Sequence, residues 1–99
     1  MPTSIILIEI KDHKATEFIE TAKILIGRFM KTCGCIDYRL DQVRGEKTVV
    51  RLIGNWTTTE DMQAHFDSAD FKVLRGAIRV LGALPEFRII DSQERVQNR

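Results

Sequence analysis

The spacing of apolar residues changes along the chain from a period of two to a period near 3.6 and back, which constrains the fold more than any other feature. Residues 3–11 alternate, and Ile6, Ile8 and Ile10 share one face. The next apolar residues recur every three or four positions. This spacing predicts an amphipathic helix over residues 14–31, with an apolar stripe of Phe18, Ala22, Leu25, Ile26 and Phe29.

Two alternating segments follow the helix and predict a hairpin. Residues 35–43 alternate strictly and place one apolar set on a single face, namely Ile36, Tyr38 and Leu40. Residues 47–56 form the next strand, joined to the first by a turn at residues 44–46. Gly54 inside this strand indicates a bulge or a close approach of another chain segment.

The end of the chain predicts a broken helix and a last strand. Helical spacing runs from about residue 59 to 81 with an interruption near Asp67 and Ser68, and a strand follows at residues 86–91. The order β-α-β-β-α-β is that of an α+β, ferredoxin-like fold with a four-stranded antiparallel sheet and helices on one face. We expect a single domain over residues 1–99, with a core of about residues 3–92 and a polar tail at residues 93–99.

Capping residues predict where the helices begin and end. Asp12 is the expected N-cap of the first helix. Either Thr57 or Thr58 can cap the second, and Thr57 with Glu60 makes a capping box. Ser68 opens the helix after the break. The chain is then expected to leave its helical path at a C′ glycine and a proline, at positions 82 and 85.

Charge and composition narrow the classes of partner. Of the 99 residues, 43% are hydrophobic, and 15 Lys and Arg are balanced by 14 Asp and Glu. This balance argues against nucleic acid, which is bound by clustered positive charge. No apolar run is long enough to span a membrane and the N-terminus lacks a signal-peptide pattern, so we expect a cytoplasmic protein. Helices cover one sheet face, and an apolar second face favours a homodimer through that face.

The stretch NWTTTEDMQAHFDSADF, residues 55–71, contains the chemically distinctive residues. Trp56 ends a strand, and His65 lies about two turns along the next helix on the same face as Met62 and Phe66. We expect Trp56 and His65 to border one cavity, with His65 half-exposed.

This stretch, together with Gly34-Cys35-Ile36-Asp37-Tyr38-Arg39-Leu40, resembles the antibiotic biosynthesis monooxygenase family. The resemblance covers residues 3–92. It implies a dimeric α+β barrel that oxidises small phenolic, quinol or polyketide-type aromatics with molecular oxygen and without flavin or metal. An ionised aromatic substrate can itself donate an electron to oxygen, and the protein then supplies shape, hydrogen bonds and a base.

The site residues expected from this resemblance fall into two groups. The catalytic group is His65, Trp56 and Asn55, in which His65 is the acid–base candidate because an ordinary imidazole titrates near neutral pH. The substrate-binding group is Tyr38, Phe66, Phe71 and Arg75. Each also has a structural explanation that the sequence leaves open: a core indole, a packed histidine, a strand-end amide, a core tyrosine or a solvated arginine.

We expect no cofactor and no metal. Nucleotide-binding glycine motifs and zinc motifs are absent from the sequence, and Cys33 and Cys35 have no histidine close by in sequence. A haem-degrading branch of the same fold has an axial histidine at the position matched by Arg75 and a second tryptophan at the position matched by His65. Arginine cannot ligate iron as a neutral base, so the resemblance argues against haem.

A second function class remains open, that of a non-catalytic small-molecule-binding or stress-related dimeric barrel. A deep cavity that reaches His65 would favour catalysis, whereas an interior filled by Trp56 and Phe66 would favour binding. An RNA-binding module on the same topology is disfavoured by the charge balance and by the lack of paired exposed aromatics on the central strands.

Overall fold

The computed structural model describes residues 1–43, 48–81 and 84–91. It confirms the predicted element order, with the second helical region divided in two. The elements are β1 (Pro2–Ile10), α1 (Asp12–Phe29), β2 (Cys35–Val43), β3 (Thr48–Trp56), α2 (Thr59–Phe66), α3 (Ala69–Val80) and β4 (Leu84–Asp91). The predicted turn at residues 44–46, the predicted C′ glycine at position 82 and the predicted tail at residues 93–99 lie outside the described residues.

The four strands form one antiparallel sheet in the order β2-β3-β1-β4. The two central strands are β1 and β3, and Ile6 pairs with Leu52 between them. This arrangement confirms the predicted ferredoxin-like α+β fold. It also brings the start of β1 beside the end of β3, where the distinctive stretch begins.

The hydrophobic core lies between the sheet and the helices. Alternate residues of β1 point into it, as the period of two predicts, and Ile6 and Ile8 have no exposed surface. The predicted stripe of α1 is buried in full, from Phe18 to Phe29. The helices therefore cover one sheet face, and burial of their apolar stripes stabilises the fold.

The opposite sheet face carries both apolar and polar side chains. Ile53 is only 7% exposed and lies outside the core cluster beneath the helices. Along one edge of this face, Thr3 Oγ1 donates to Asn55 Oδ1 at 2.6 Å, and Asn55 Nδ2 donates to Asp37 Oδ1 at 2.6 Å. The sheet face away from the helices therefore combines a buried isoleucine with a row of hydrogen-bonded polar side chains.

The strict alternation predicted for β2 is wrong at the start of the strand. The register shifts between Cys35 and Asp37, so Ile36 is the extra residue of a bulge. Ile36 is 49% exposed, whereas Tyr38 is 3% exposed. A bulge adds one residue to one strand, which moves the side chains before it out of the period-two pattern. Gly34, just before the strand, has a φ of 83°.

Asp12 does not cap α1. The N-cap is Lys11, which makes no side-chain capping hydrogen bond, and Asp12 is the first helical residue. The Asp12 carboxylate instead accepts a hydrogen bond from Thr48 Oγ1 at 2.7 Å. A tertiary contact to the start of β3 therefore takes the carboxylate that local sequence assigns to the cap.

Within the part of the chain that the structure describes, no helix has both the length and the apolar character needed to cross a membrane. The 18 residues of α1 contain several charged side chains.

The close approach predicted at Gly54 is confirmed by its surroundings. A Cβ atom at this position would lie 2.7 Å from Cε2 of Tyr38 and 3.0 Å from Oγ of Ser4. Both neighbours are buried, so neither can move aside freely.

We predict that Gly54→Ala lowers the free energy of unfolding by about 1–3 kcal/mol, because it overpacks a filled interior. Gly27→Ala is the matched control. A Cβ at Gly27 meets no atom within 4 Å, and alanine should stabilise the middle of α1 by about 0.5–1 kcal/mol. Urea unfolding of both variants measures the difference. Equal effects in the two variants would contradict the assigned contact with Tyr38.

Candidate functional site

The indole of Trp56 is anchored inside the core at the end of β3. Its Nε1 donates to Ser4 Oγ at 3.2 Å across the two central strands, and the ring has no exposed surface. Ser4 is also buried, at 1% exposure. A buried N–H needs an acceptor, so this serine satisfies the one polar atom of the indole.

The turn after Trp56 sets where α2 begins. Thr58 is the N-cap, because its side chain accepts from the backbone N–H of Asp61 at 3.0 Å. Thr57 Oγ1 instead donates to Asp61 Oδ2 at 3.0 Å. The predicted capping box of Thr57 with Glu60 is therefore wrong by one position. The N-cap hydroxyl is that of Thr58, and the N3 residue whose backbone N–H it accepts from is Asp61.

The break between α2 and α3 is closed by Ser68, as predicted. Its Oγ accepts from the backbone N–H of Phe71 at 3.2 Å and donates to the backbone carbonyl of His65 at 2.7 Å. One serine thus starts α3 and terminates α2. The result is a tight corner that carries His65, Phe66 and Phe71.

His65 is buried at 1% exposure, so the expectation of a half-exposed helical histidine is wrong. The centroids of the His65 and Trp56 rings are 4.6 Å apart, and the angle between the two ring planes is 32°. Three edge-on or near edge-on neighbours pack around it at 4.5 to 5.3 Å: Phe29, Tyr38 and Phe71. Trp56 and His65 do lie together, inside a cluster of aromatic rings.

The imidazole makes one hydrogen bond among the described residues. Its Nε2 lies 3.3 Å from the hydroxyl of Tyr38, and its Nδ1 is buried with no partner in the described part of the chain. Burial disfavours the charged form and lowers the pKa of His65 from 6.5 to about 4. Burial, with a smaller contribution from Cys35, also raises the pKa of Tyr38. Both groups are therefore neutral at neutral pH.

Beside this cluster, a groove of about 290 Å³ opens between α2, α3 and the strands. Three predicted substrate-binding residues line it, Phe66, Phe71 and Arg75, and the remaining lining residues are Ile5, Gln63, Arg88 and Ile89. Trp56, His65 and Tyr38 are not among the lining residues. Phe66 and Phe71 separate the groove from His65, because each ring contacts His65 and also faces the groove.

Asn55 is not in this cluster. It is adjacent to Trp56 on β3, and neighbouring strand residues point to opposite faces. The side chain bonds to Thr3 and Asp37 on the sheet face away from the helices. The structure thus brings Trp56, His65 and Tyr38 together and leaves Asn55 on the other side of the sheet.

A second groove, of about 500 Å³, lies between α1 and the ends of β2 and β3. Its lining is mainly polar and includes Asp12, Glu20 and Lys23. None of the predicted site residues contributes to it.

Two residues of the aromatic cluster were not among the predicted site residues, namely Ser4 and Phe29. Phe29 is visible in the helical stripe, but its contact with the His65 ring depends on how α1 crosses the sheet. Ser4 is the only polar residue that alternates inward with Ile6 and Ile8, and that position is the signal that could have found it. Among the described residues there is no group of three or more His, Cys, Asp or Glu side chains that could hold a metal ion.

We predict that His65 makes stability depend on pH. The folded pKa of about 4 lies below the unfolded value of 6.5, so the unfolded chain binds the proton more readily. The free energy of unfolding therefore has its full value above pH 6.5. It decreases as the pH falls towards 4, by about 3 kcal/mol in total. Chemical unfolding between pH 7.5 and 4 measures this loss, which His65→Gln should abolish. His13→Gln, at an exposed position in α1, should follow the wild type.

The model of the antibiotic biosynthesis monooxygenase family matches residues 1–77 of the chain. No curated protein matches the sequence significantly. Solved structures do share the fold. A Bacteroides thetaiotaomicron protein of unknown function is 24% identical, with a TM-score of 0.81 over 90% of this chain and 94% of its own.

Two further structures have oxygenase descriptions. A Deinococcus radiodurans protein described as a candidate antibiotic biosynthesis monooxygenase has a TM-score of 0.86 at 12% identity, covering 92% of this chain and 91% of its own. SnoaB of Streptomyces nogalater, a cofactor-independent oxygenase solved as a point mutant, has a TM-score of 0.75 at 16% identity, covering 91% of each chain. At these identities the structures establish the shared fold. The match over residues 1–77, together with this fold, shows that the chain belongs to the antibiotic biosynthesis monooxygenase family.

Proposed function

We propose that this protein is a cofactor-independent monooxygenase of small phenolic, quinol or polyketide-type aromatic compounds. The observation that carries the proposal is the groove, which is lined by Phe66, Phe71 and the cationic Arg75. Aromatic rings bind a flat apolar substrate by stacking, and a cation favours its ionised form. The family membership and the oxygenase description of SnoaB support the same reaction class.

Arg75 is the better placed of the two arginines in the groove to meet an anionic substrate. Arg88 already forms an ion pair with Glu86, whose carboxylate lies 2.6 Å from Nη2. Among the described residues Arg75 has no ion-pair partner, and it is exposed at the groove edge. A guanidinium near a phenol stabilises the phenolate and so lowers the phenol pKa from its ordinary value of about 10.

In the proposed reaction the substrate itself is the reductant. The ionised ring gives electrons to molecular oxygen, and a carbon–oxygen bond replaces one ring C–H bond. The phenol is thereby oxidised to a quinone, and the second oxygen atom leaves as water with the hydrogens of that C–H bond and of the phenol. The protein excludes solvent and holds the ring and oxygen in contact. General-base action by His65 stays a prediction. An imidazole with a pKa of about 4 is a weaker base than an ordinary one, so we assign ionisation of the substrate first to Arg75.

A non-catalytic binding protein is the second candidate, and the packed interior favours it. Trp56 has no exposed surface and His65 is 1% exposed, so the side chains fill the space between sheet and helices. In that case the groove between Phe66 and Arg75 holds an aromatic ligand without turnover.

We predict that Arg75→Gln lowers kcat/KM for 1,4-dihydroxynaphthalene by about tenfold, or about 1.4 kcal/mol of transition-state stabilisation. Arg79→Gln is the matched control, because Arg79 is an exposed arginine one turn further along α3 that does not line the groove. Oxygen consumption above the protein-free autoxidation rate is the measurement. Arg75→Lys should recover part of the loss, because it restores the charge without the planar guanidinium.

The outcomes separate the two candidate functions. Equal kcat/KM in the Arg75 and Arg79 variants would remove the proposed role of Arg75. Quenching of the single tryptophan, Trp56, by the naphthalenediol with no oxygen consumption would favour the non-catalytic protein.

We also propose that the protein is a homodimer through the sheet face away from the helices. Leu7, Val49 and Ile53 give this face an apolar centre, and paired polar side chains such as Arg51 with Asp41 at 2.9 Å lie beside it. A 99-residue chain buries a modest core of its own, so a second copy would add to the buried apolar area.

We predict that Leu7→Lys shifts the protein from dimer to monomer, because it places a charge in the centre of the proposed interface. Ile24→Lys is the control, since Ile24 is 67% exposed on α1. Sedimentation velocity at micromolar concentration distinguishes the two states. A monomeric wild type would contradict the proposed assembly.

A further inference from the structure

We infer that Nδ1 of His65 is a hydrogen-bond donor for the ligand of the proposed site. Its acceptor is a carbonyl or phenolate oxygen on an aromatic ring that enters from the groove past Phe66. The inference rests on the proposed function, because it assigns a class of ligand to the same groove. It gives His65 a binding role that does not require the imidazole to titrate.

The first observation is an unsatisfied nitrogen in an otherwise closed cluster. Nδ1 of His65 is buried and has no partner among the described residues, while the side chain as a whole is 1% exposed. Leaving a buried polar atom without a hydrogen bond costs about 1–3 kcal/mol. The other polar atoms of the cluster are paired: Trp56 with Ser4, and Tyr38 with Nε2 of His65.

The hydrogen-bond arrangement indicates which tautomer is present. If the Tyr38 hydroxyl donates to Nε2, the hydroxyl and Nε2 are both satisfied and only the proton on Nδ1 lacks a partner. If Nε2 donates to the hydroxyl, the hydroxyl proton and Nδ1 are both left over. The first arrangement leaves fewer unsatisfied groups, so Nδ1 carries the proton and needs an acceptor.

The second observation is the thinness of the wall between His65 and the groove. The rings of Phe66 and Phe71 contact the imidazole at centroid distances of 5.4 Å and 4.9 Å, and both line the groove. Phe71 is 2% exposed, whereas Phe66 is partly exposed at the end of α2. Rotation of the Phe66 side chain is therefore the lower-cost way to join the groove to the imidazole of His65.

The surrounding rings define the chemistry of what can enter. Beyond Phe66, a ligand meets a cluster of aromatic faces and edges, and the Trp56 ring is tilted by 32° from the imidazole plane. Flat aromatic ligands match such surfaces, and an oxygen acceptor on the leading edge matches the donor. A hydrocarbon of the same shape would leave Nδ1 unsatisfied.

The test compares two ligands with the same skeleton, 1-indanone and indane, in the wild-type protein. An ordinary apolar groove prefers the hydrocarbon, whereas the proposed donor should make 1-indanone bind about tenfold more tightly. Quenching of Trp56, the single tryptophan, reports binding. Quinones are avoided as probes because the exposed Cys33 thiol can add to them. Indane binding as tightly as 1-indanone overturns the inference.

Two substitutions separate His65 from Arg75 as the donor. The amide of asparagine can replace the Nδ1 donor, so His65→Asn should keep the preference for 1-indanone. The longer glutamine places its amide nearer the Nε2 position, so His65→Gln should lose the preference. The same result for both variants, with the preference kept or lost, would overturn the assignment. Nitrogen-15 NMR of wild-type His65 is independent of how the variants fold, and a protonated Nε2 would also overturn the inference.

The role of Phe66 is tested by rates. Phe66→Ala should increase the association rate of 1-indanone about tenfold, because the ring no longer has to move aside. Val73→Ala, at a 52% exposed position of α3 outside the groove, is the control. Equal association rates in both variants would contradict entry past Phe66. If the protein prefers 1-indanone over indane but consumes no oxygen, only the proposed catalysis is contradicted, and the donor role of His65 stands.

Discussion

The packing of the Trp56 indole against the His65 imidazole determines much of the rest of the structure. The two centroids lie 4.6 Å apart, and each ring carries a polar atom that must be satisfied inside the core. Ser4 satisfies the indole and Tyr38 satisfies one imidazole nitrogen. These hydrogen bonds are important for stability because water is excluded from the core. A polar atom left unpaired in this interior would lower the free energy of unfolding. Gly54 leaves room for Tyr38, because a Cβ atom at this position would collide with the Tyr38 ring.

Burial changes the chemistry available to the cluster. The pKa of His65 falls to about 4, so the imidazole stays neutral across the physiological range. A neutral imidazole that cannot easily accept a second proton is a poor general base, but it remains a hydrogen-bond donor on one nitrogen. Arg75, an exposed cation with no ion-pair partner among the described residues, lies in the groove on the other side of Phe66 and Phe71. The fold thus separates a neutral, hydrogen-bonding interior from a charged rim.

The sheet divides the polar residues at the end of β3 into two surfaces. Asn55 and Trp56 are neighbours in sequence, yet the pleat directs one to the outer face and the other into the core. Asn55 joins Thr3 and Asp37 at the edge of the face that we propose as the dimer interface. Residues from one short segment consequently serve two different surfaces.

The sequence by itself determined the element order, the core face of β1 and α1 and the break at Ser68. These follow from local periodicity and capping, which depend on residues a few positions apart. The tertiary structure decided the bulge at Ile36, the burial of His65 and the contact between Asp12 and Thr48. Each of these depends on a partner distant in the chain: a neighbouring strand, a crossing helix or a hydroxyl 36 residues away. Local patterns cannot report which side chains meet across the core, and such meetings determine whether a histidine is half-exposed or enclosed.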